Sequence, residues 1–542
     1  MLPRIPPLEP HPALATPEII LHVFQQLDAS DLLSTALVCK DWRWKATDTR
    51  WRVHPVGVIQ LLATLAPFKF NRENGEVSTL RTRFERDFKG MMQDIIQITH
   101  EEWANFSEHA RKVTHLELDS NSAILVSFLP PWAQDLAPFC PACTRMTFSA
   151  GWHPGLKHLK LWGLTLNLMV PSVSCINIMT SDWVDEATGW LEDEATSRTP
   201  LITVATFHVR KVHPTYARYP GLRKLSLRGE ITVEGWMALS IGCPELEDLH
   251  VEVLCKKSHP PSGFRAEDIP TFAFASLRKF SFALIPNTWR VMHVYTIICH
   301  SKMPVLQRLK FSRTQWLHNN LDNIVSAITE CASLEELEID MGGDDERPSA
   351  MTMSDIVTLT RLRSLNAVHR LAVHNTSTWL NMQDADWEVL TERLPRLKDL
   401  VIEQEPGAGP CCHWTRCTLR SLQSLDSALH LEHLTISILA TPSSLELPIS
   451  PLHTLRSLTF QHLEVEDGFE FAFARFINVL CPNLDEFNIH CFQLRSDGTY
   501  RAGSSAELEA AVWADQRFRK LCQRRLLRWG SSAGSHSAHL QP

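Results

Sequence analysis

Apolar residues along the chain follow two distinct rhythms. The longer-running one is a Leu-x-x-[Leu/Phe]-x-apolar hexad. It begins at Leu156, Leu222, Leu246, Leu277, Leu306, Leu334, Leu397, Leu431, Leu455 and Leu484, with weaker versions at Val113 and Leu362. From Leu222 the steps are 24, 31, 29, 28, 28, 35, 34, 24 and 29 residues. Chance supplies roughly three strict matches at this residue usage, so the recurrence is a true period. Alternate residues of a hexad, such as Leu225 and Leu227, share one face of a short strand, with one further leucine ahead of them. Between hexads the spacing turns helical. Leu321, Ile324, Val325 and Ile328 share one face, as do Phe469, Phe473, Phe476, Ile477 and Leu480.

Strand then helix, repeated with a period near 29, predicts a leucine-rich-repeat solenoid whose parallel strands line the concave face. The pairs Cys243-Pro244, Cys331-Ala332 and Cys481-Pro482 each stand two residues before a repeat leucine, and Pro220, Pro304 and Pro395 end helices elsewhere. An asparagine that often ties neighbouring turns together is missing; Glu230, Leu254 and Thr314 stand in its place. Irregular turns are therefore expected. The stretch from Trp162 to Pro220 breaks the period, with Ile176/Ile178 and Phe207/Val209 as strands of degenerate repeats.

The second rhythm occupies Thr16–Arg52. Pro17 and Glu18 open a helix, and Ile20, Phe24 and Leu27 form its apolar stripe with Leu21 beside them. Asp28 and Ser30 cap a second helix over Asp31–Val38, whose buried side is expected to hold Leu32, Leu33 and Leu37. A third helix starts at Lys40, with Trp42, Trp44 and Trp51 as anchors. Three short helices make a poor independent core, so such a module needs a partner surface.

This segment resembles the F-box, the adaptor-docking motif of SCF-type cullin–RING ubiquitin ligases. The resemblance rests on Pro17-Glu18, Ile20-Leu21, Phe24, Leu27, Asp31-Leu32-Leu33, Val38-Cys39-Lys40, Trp42-Arg43 and Trp51-Arg52; Thr16 departs from the leucine usual there. It implies a Skp-family adaptor bridging to the cullin, with Pro17, Ile20, Leu21, Phe24, Leu27, Leu32, Val38, Cys39 and Trp42 as candidate contacts. Some of these nine may equally hold the helices together, since a stripe alone does not tell which side faces a partner. Val58-x-x-Leu61-Leu62 resembles F-box proteins of mushroom-forming fungi, and the Cys-Pro punctuation resembles repeats carried behind an F-box. The implied role is substrate receptor of the ligase. Candidate substrate contacts are the hexad positions between leucines: Arg223, Lys224, Ser226, Glu335, Glu336 and Glu338. The alternative is a repeat scaffold whose F-box no longer serves a ligase.

The fold class expected is α/β: a small three-helix F-box followed by an irregular leucine-rich-repeat solenoid. The expected segments are a Pro-rich lead (1–14), the F-box (15–53), a helical linker (54–110), the solenoid (111–493), and a basic helix with a tail (494–542). The helix over Ser504–Trp529 caps the last repeat through Leu508, Val512, Phe518, Leu521 and Leu526; its basic second half offers a nuclear-import patch as an alternative.

Charge and composition narrow the function. Over 542 residues, 53 basic against 61 acidic side chains give a net charge of −8, which disfavours nucleic acid as a partner. No run of 18 apolar residues marks a membrane span, and Met1–Pro12 lacks the apolar run of a signal peptide. The expectation is a cytoplasmic or nuclear protein with reduced thiols. Cys140-Pro-Ala-Cys143 and Cys411-Cys412-His413 with Cys417 have zinc-ligand chemistry, but loop cysteines are the favoured reading. The acidic runs Asp182–Glu194 and Asp344-Asp345-Glu346 read as solvated loops. No nucleophile elbow, Walker loop or dinucleotide fingerprint occurs, so no catalytic residue, metal or cofactor is expected.

Overall fold

The structure is a computed structural model. It describes residues 16–62, 64, 99–118, 139–149, 174–179, 202–211, 219–253, 269–284, 296–298, 300–312, 331, 333–340, 368–375, 387, 390–392, 394–404, 417–425, 428–441, 450–496, 499–502 and 505–514. The chain divides into two compact units, Met1–Leu246 and Glu247–Pro542.

The first unit opens with α1 (Pro17–Gln26), α2 (Ala29–Thr35) and α3 (Lys40–Val53). Pro17 starts α1 where a missing N–H costs nothing. The Asp28 carboxylate accepts N–H bonds from Ser30 and Asp31, both at 2.8 Å, and so caps α2. The bond from Asp31 is the main reason the Asp28 carboxyl lies below the usual carboxylate range. Ile20, Phe24, Leu32 and Ala46 are buried between the helices, with Leu27, Ala36 and Trp42 packed around them. The Phe24 and Trp42 rings meet edge to face at 5.7 Å.

β1 (Val56–Gly57) and α4 (Val58–Leu62) follow, then α5 (His100–Ala110), where Thr99 and Glu102 form a reciprocal capping box. β2 (His115–Leu118), β3 (Arg145–Ser149), β4 (Cys175–Met179), β5 (Val204–Lys211) and β6 (Lys224–Glu230) pair in sequence order, all parallel, with β1 at the front. Leu116, Met146, Ile176, Ala205 and Leu225 stand opposite one another across five strands, and all are buried. α6 (Val233–Gly242) closes the unit. The strands expected at Ile176/Ile178 and Phe207/Val209 are β4 and β5. Residues 156–161 lie outside the described residues, and β3 pairs directly with β4.

The helical module is bolted to the first strands by its third helix. Trp51 stacks on His109 at 5.0 Å, Asp48 pairs with Lys112 at 3.3 Å, and the Thr114 hydroxyl donates to the Arg52 carbonyl.

The second unit holds β7 (Asp248–Val253), β8 (Phe272–Ala273), β9 (Lys279–Leu284), β10 (Ser301–Lys302), β11 (Arg308–Ser312), β12 (Glu336–Asp340), β13 (Arg370–Asn375) and β14 (Asp399–Gln404). After these come α7 (Leu419–Ser424), β15 (His433–Ala440), β16 (Ser457–Glu466), α8 (Glu470–Leu480), β17 (Glu486–Ser496) and β18 (Thr499–Ala502). The main sheet runs β7-β9-β11-β12-β13-β14-β15-β16-β17-β18, parallel except for the final hairpin; β8 and β10 pair separately. One inward row reads Leu249, Phe280, Leu309, Leu337, Leu371, Leu400, Leu434, Leu458 and Phe487, all buried. Strands with alternate residues in this row, coiling through a helix or turn to the next parallel strand, make the leucine-rich-repeat solenoid fold.

Nine of the hexads, from Leu222 to Leu484, sit at strands, with one strand taking a different start. The weak hexad at Leu362 lies outside the described residues; the strand there is β13, and buried Val368 holds the leading position. The helix expected over 321–328 is likewise outside them. Phe473, Phe476, Ile477 and Leu480 are buried on α8 as expected. Residues 505–514 are helical, and buried Leu508 and Val512 lie against the last repeat, where the Asn478 amide donates to the Val512 carbonyl at 2.9 Å.

A backbone ladder ties neighbouring repeats at the start of their strands, the end opposite to the missing asparagine. At each step one carbonyl accepts two N–H groups from the following repeat: Glu247 from Arg278 and Lys279, Arg278 from Gln307 and Arg308, Gln307 from Glu335 and Glu336. The same forked bond joins Thr114, Thr144, Ser174 and Thr203 to their successors in the first unit. Because it asks nothing of the side chain, sequence can vary there without breaking the stack.

Candidate functional site

The helical module keeps much of its apolar surface outside. Leu33, Leu37 and Val38 are 63%, 79% and 64% exposed, and Ile19, Val23 and Trp44 are exposed too. Leu33 sits on α2, and Leu37 and Val38 in the turn that leads to α3, whose first turn is tied back by an Arg43 Nε bond to the Ala36 carbonyl at 3.4 Å. The cause lies in the helix: with Leu32 turned into the core, its neighbour Leu33 must point elsewhere. This corrects the expectation that Leu33 and Leu37 lie on the buried side.

The nine candidate contacts separate in the same way. Ile20, Phe24 and Leu32 are buried in the module's own core, so as placed they hold helices together and offer no surface. Leu27 and Trp42 are half-buried against that core, and Pro17, Leu21, Val38 and Cys39 are exposed. Cys39 occupies the extended position just before α3 and is not the small buried hydrophobe its apolar neighbours suggest. Sequence reasoning missed Leu33, Leu37 and Trp44 as surface residues. The available signal was their excess: of Leu32, Leu33 and Leu37, the core takes only the first.

The outward face of the strands carries the candidate substrate contacts. In the first unit Arg223 and Lys224 are exposed, Arg223 lying 3.7 Å from Glu245, and Ser226 is half-buried. In the second unit Glu335, Glu336 and Glu338 are half-buried, and the latter two already have partners across the sheet. Glu336 pairs with Arg308 at 2.9 Å and Glu338 with Lys310 at 2.5 Å. Further along, His374 Nδ1 lies 2.6 Å from Glu403, and Gln461 donates to the other oxygen of that carboxylate at 3.1 Å. Gln461 stands at a register shift between β15 and β16, a bulge that aims it at β14. The bond to Glu403 raises the His374 pKa above its ordinary value, and the same bond lowers that of Glu403.

The buried cysteines are packing groups. Cys140 is buried three residues ahead of buried Cys143, and the Cys143 N–H bonds the Cys140 carbonyl at 3.0 Å. Leu246 and Leu334 make that same turn with Cys243 and Cys331. Cys140-Pro141 is therefore one more Cys-Pro introduction, with Cys143 in the place of the repeat leucine. Burial pushes the Cys143 and Cys243 thiols up to about 12, so neither is a ready nucleophile. Cys417 is buried and accepts from the Trp387 indole at 3.4 Å, while 411–413 lie outside the described residues. Among the described residues, no three His, Cys, Asp or Glu side chains gather to hold a metal ion.

Comparison with known proteins bears on the helical half of this description. The F-box-like family matches residues 17–53, and the chain carries an F-box-like domain there. No curated protein sequence matches the chain. Among solved structures, an internalin (inlF) from Listeria monocytogenes is 9% identical, covering 78% of this chain and 91% of its own, with a TM-score of 0.32. The Rad7 and Elc1 complex in yeast is 12% identical, covering 68% and 92%, again at 0.32. The leucine-rich repeat-containing protein LegL7 from Legionella pneumophila is 10% identical, covering 68% and 96%, at the same score. Overlaps this loose add nothing to function, and the fold stands on the strand order and register above. The chain thus carries an F-box-like domain at residues 17–53 ahead of strands in a leucine-rich-repeat solenoid fold.

Proposed function

We propose that this protein is the substrate-recognition subunit of an SCF-type cullin–RING ubiquitin ligase, working in the cytoplasm or nucleus. The observation that carries the reading is the exposure of Leu33, Leu37 and Val38 within the segment that matches the F-box-like family. A patch of this kind on a stably folded module is a mark of a surface that another protein covers. On this reading Leu33, Leu37, Val38, Leu21 and Cys39 meet a Skp-family adaptor, while Ile20, Phe24 and Leu32 support them from beneath. The strand face holds a protein substrate, with Arg223, Lys224, Ser226, Glu335, Glu336 and Glu338 among its contacts. The chain supplies no catalysis of its own. It raises the effective concentration of a target beside the charged ubiquitin carrier, and proximity does the rest.

The test is co-purification of full-length protein with a Skp-family adaptor and cullin. Wild-type chain is expected to bring both, and Leu37→Asp to lose both while keeping its circular dichroism spectrum. Adaptor binding without cullin would favour a repeat scaffold outside the ligase. A Leu37→Asp chain that still captures the adaptor would remove the assigned surface.

A further inference from the structure

A groove of about 640 Å³ opens on the second unit, lined by Glu335, His369, Arg396, Lys398 and His430. It is built from successive repeats. The His369 N–H bonds the Glu335 carbonyl at 2.9 Å, and the Lys398 N–H bonds the His369 carbonyl at 2.8 Å, so three neighbouring turns present these side chains in line. Neighbouring strands lie about 4.8 Å apart, which places Glu335 and Lys398 about 10 Å from each other, the span of about three extended residues. Arg396 and His430 each stand three residues ahead of the first strand residue of their own repeat.

The charge in this groove runs against that of the chain. The protein carries −8 overall, yet among the described lining residues two cations and two imidazoles stand with the one carboxylate of Glu335. Arg396 is exposed and has no ion pair among the described residues. Lys398 reaches Glu432 at 3.3 Å, but both groups are about half exposed, and such pairs give way readily to a competing anion. We propose that this groove takes an extended peptide segment of a protein partner bearing neighbouring Asp or Glu side chains, held by Arg396 and Lys398. Glu335 at the far end selects among anions. It repels a doubly charged phosphate more than a singly charged carboxylate, and it accepts from a donor on the peptide. The inference rests on the reading of the repeats as the part that holds a protein, and it names the chemistry of what is held.

Fluorescence anisotropy of a labelled Asp/Glu-rich peptide with the full-length protein tests it. Binding is expected, weakening as salt rises. Arg396→Glu combined with Lys398→Glu should lower affinity about ten-fold, and Glu335→Gln should raise it about two-fold. Arg111→Glu, an exposed cation at the end of α5 in the other unit, should leave it unchanged. Absence of binding, equal loss in Arg111→Glu, or tighter binding of a phosphoserine version of the peptide would overturn the proposal. Adaptor capture measured on the same variants keeps the two readings apart. Lost peptide binding with adaptor capture intact bears on the groove alone, and lost adaptor capture with peptide binding intact bears on the ligase reading alone.

Discussion

Leucine serves opposite ends in the helical module and in the repeats. Among the described residues, every repeat leucine from Leu222 to Leu484 is buried. In the module, Leu32 is buried while Leu33 and Leu37 face outward. The repeats have neighbours to supply the missing walls of their core, so stacking buries what one repeat alone leaves open. The module has three short helices, tied to the described residues that follow at the end of α3, and its apolar surplus stays uncovered by any of them. An uncovered leucine in a repeat would be a defect, whereas in the module it is the surface proposed above to meet an adaptor.

Substitutions can break this comparison. Phe24→Ala should have the largest effect, costing about 3–5 kcal/mol through loss of a buried aromatic. Hydrogen exchange should show protection disappearing across residues 17–53. Leu37→Ala, of similar chemical severity, should stay within about 0.5 kcal/mol in urea denaturation, because its side chain has no core to leave. Equal destabilisation by the two would show that the exposed patch is internal packing after all.

The repeats make a sharper demand at Cys143. If it stands where other repeats have leucine, Cys143→Val should cost less than about 1.5 kcal/mol, as volume-conserving core exchanges do. Cys143→Ser should cost about 1–3 kcal/mol, since the hydroxyl is buried with poor compensation. A thiol needed for its chemistry would reverse that order or make both equally harmful.

The smallest expected effect is a pH dependence on the strand face. The His374 pKa is raised above its ordinary value near 6.5 by Glu403. Its stabilisation is therefore complete below about 6.5 and fades as pH rises through the folded value. Glu403 works in the other direction, its share fading as pH falls through its own lowered value. His374→Gln should flatten the urea midpoint against pH on the alkaline side of about 6.5.

Much of the molecule was legible beforehand because its pattern is local. The hexad carries strand, inward face and register in six residues, so nine repeats could be placed by counting. The Pro17-to-Arg52 spacing likewise located the three helices. Three things escaped. The Cys140–Cys143 pair read as loop cysteines and not as a repeat start, because cysteine at a leucine position breaks the count. Val368 was passed over for Leu362 because one conservative exchange outweighed the better spacing. The exposure of Leu33 and Leu37 escaped because a helical stripe gives adjacency and not which neighbour fills the space.

Periodicity along the chain was enough to determine that strands stack in parallel, and that a small helical module precedes them, because those follow from contacts between residues close in sequence. Which leucines the core would accept, which carbonyls would take two bonds from the next repeat, and which charges would line one groove were settled only in three dimensions. Each depends on how much room and how many partners a side chain finds among residues tens of positions away.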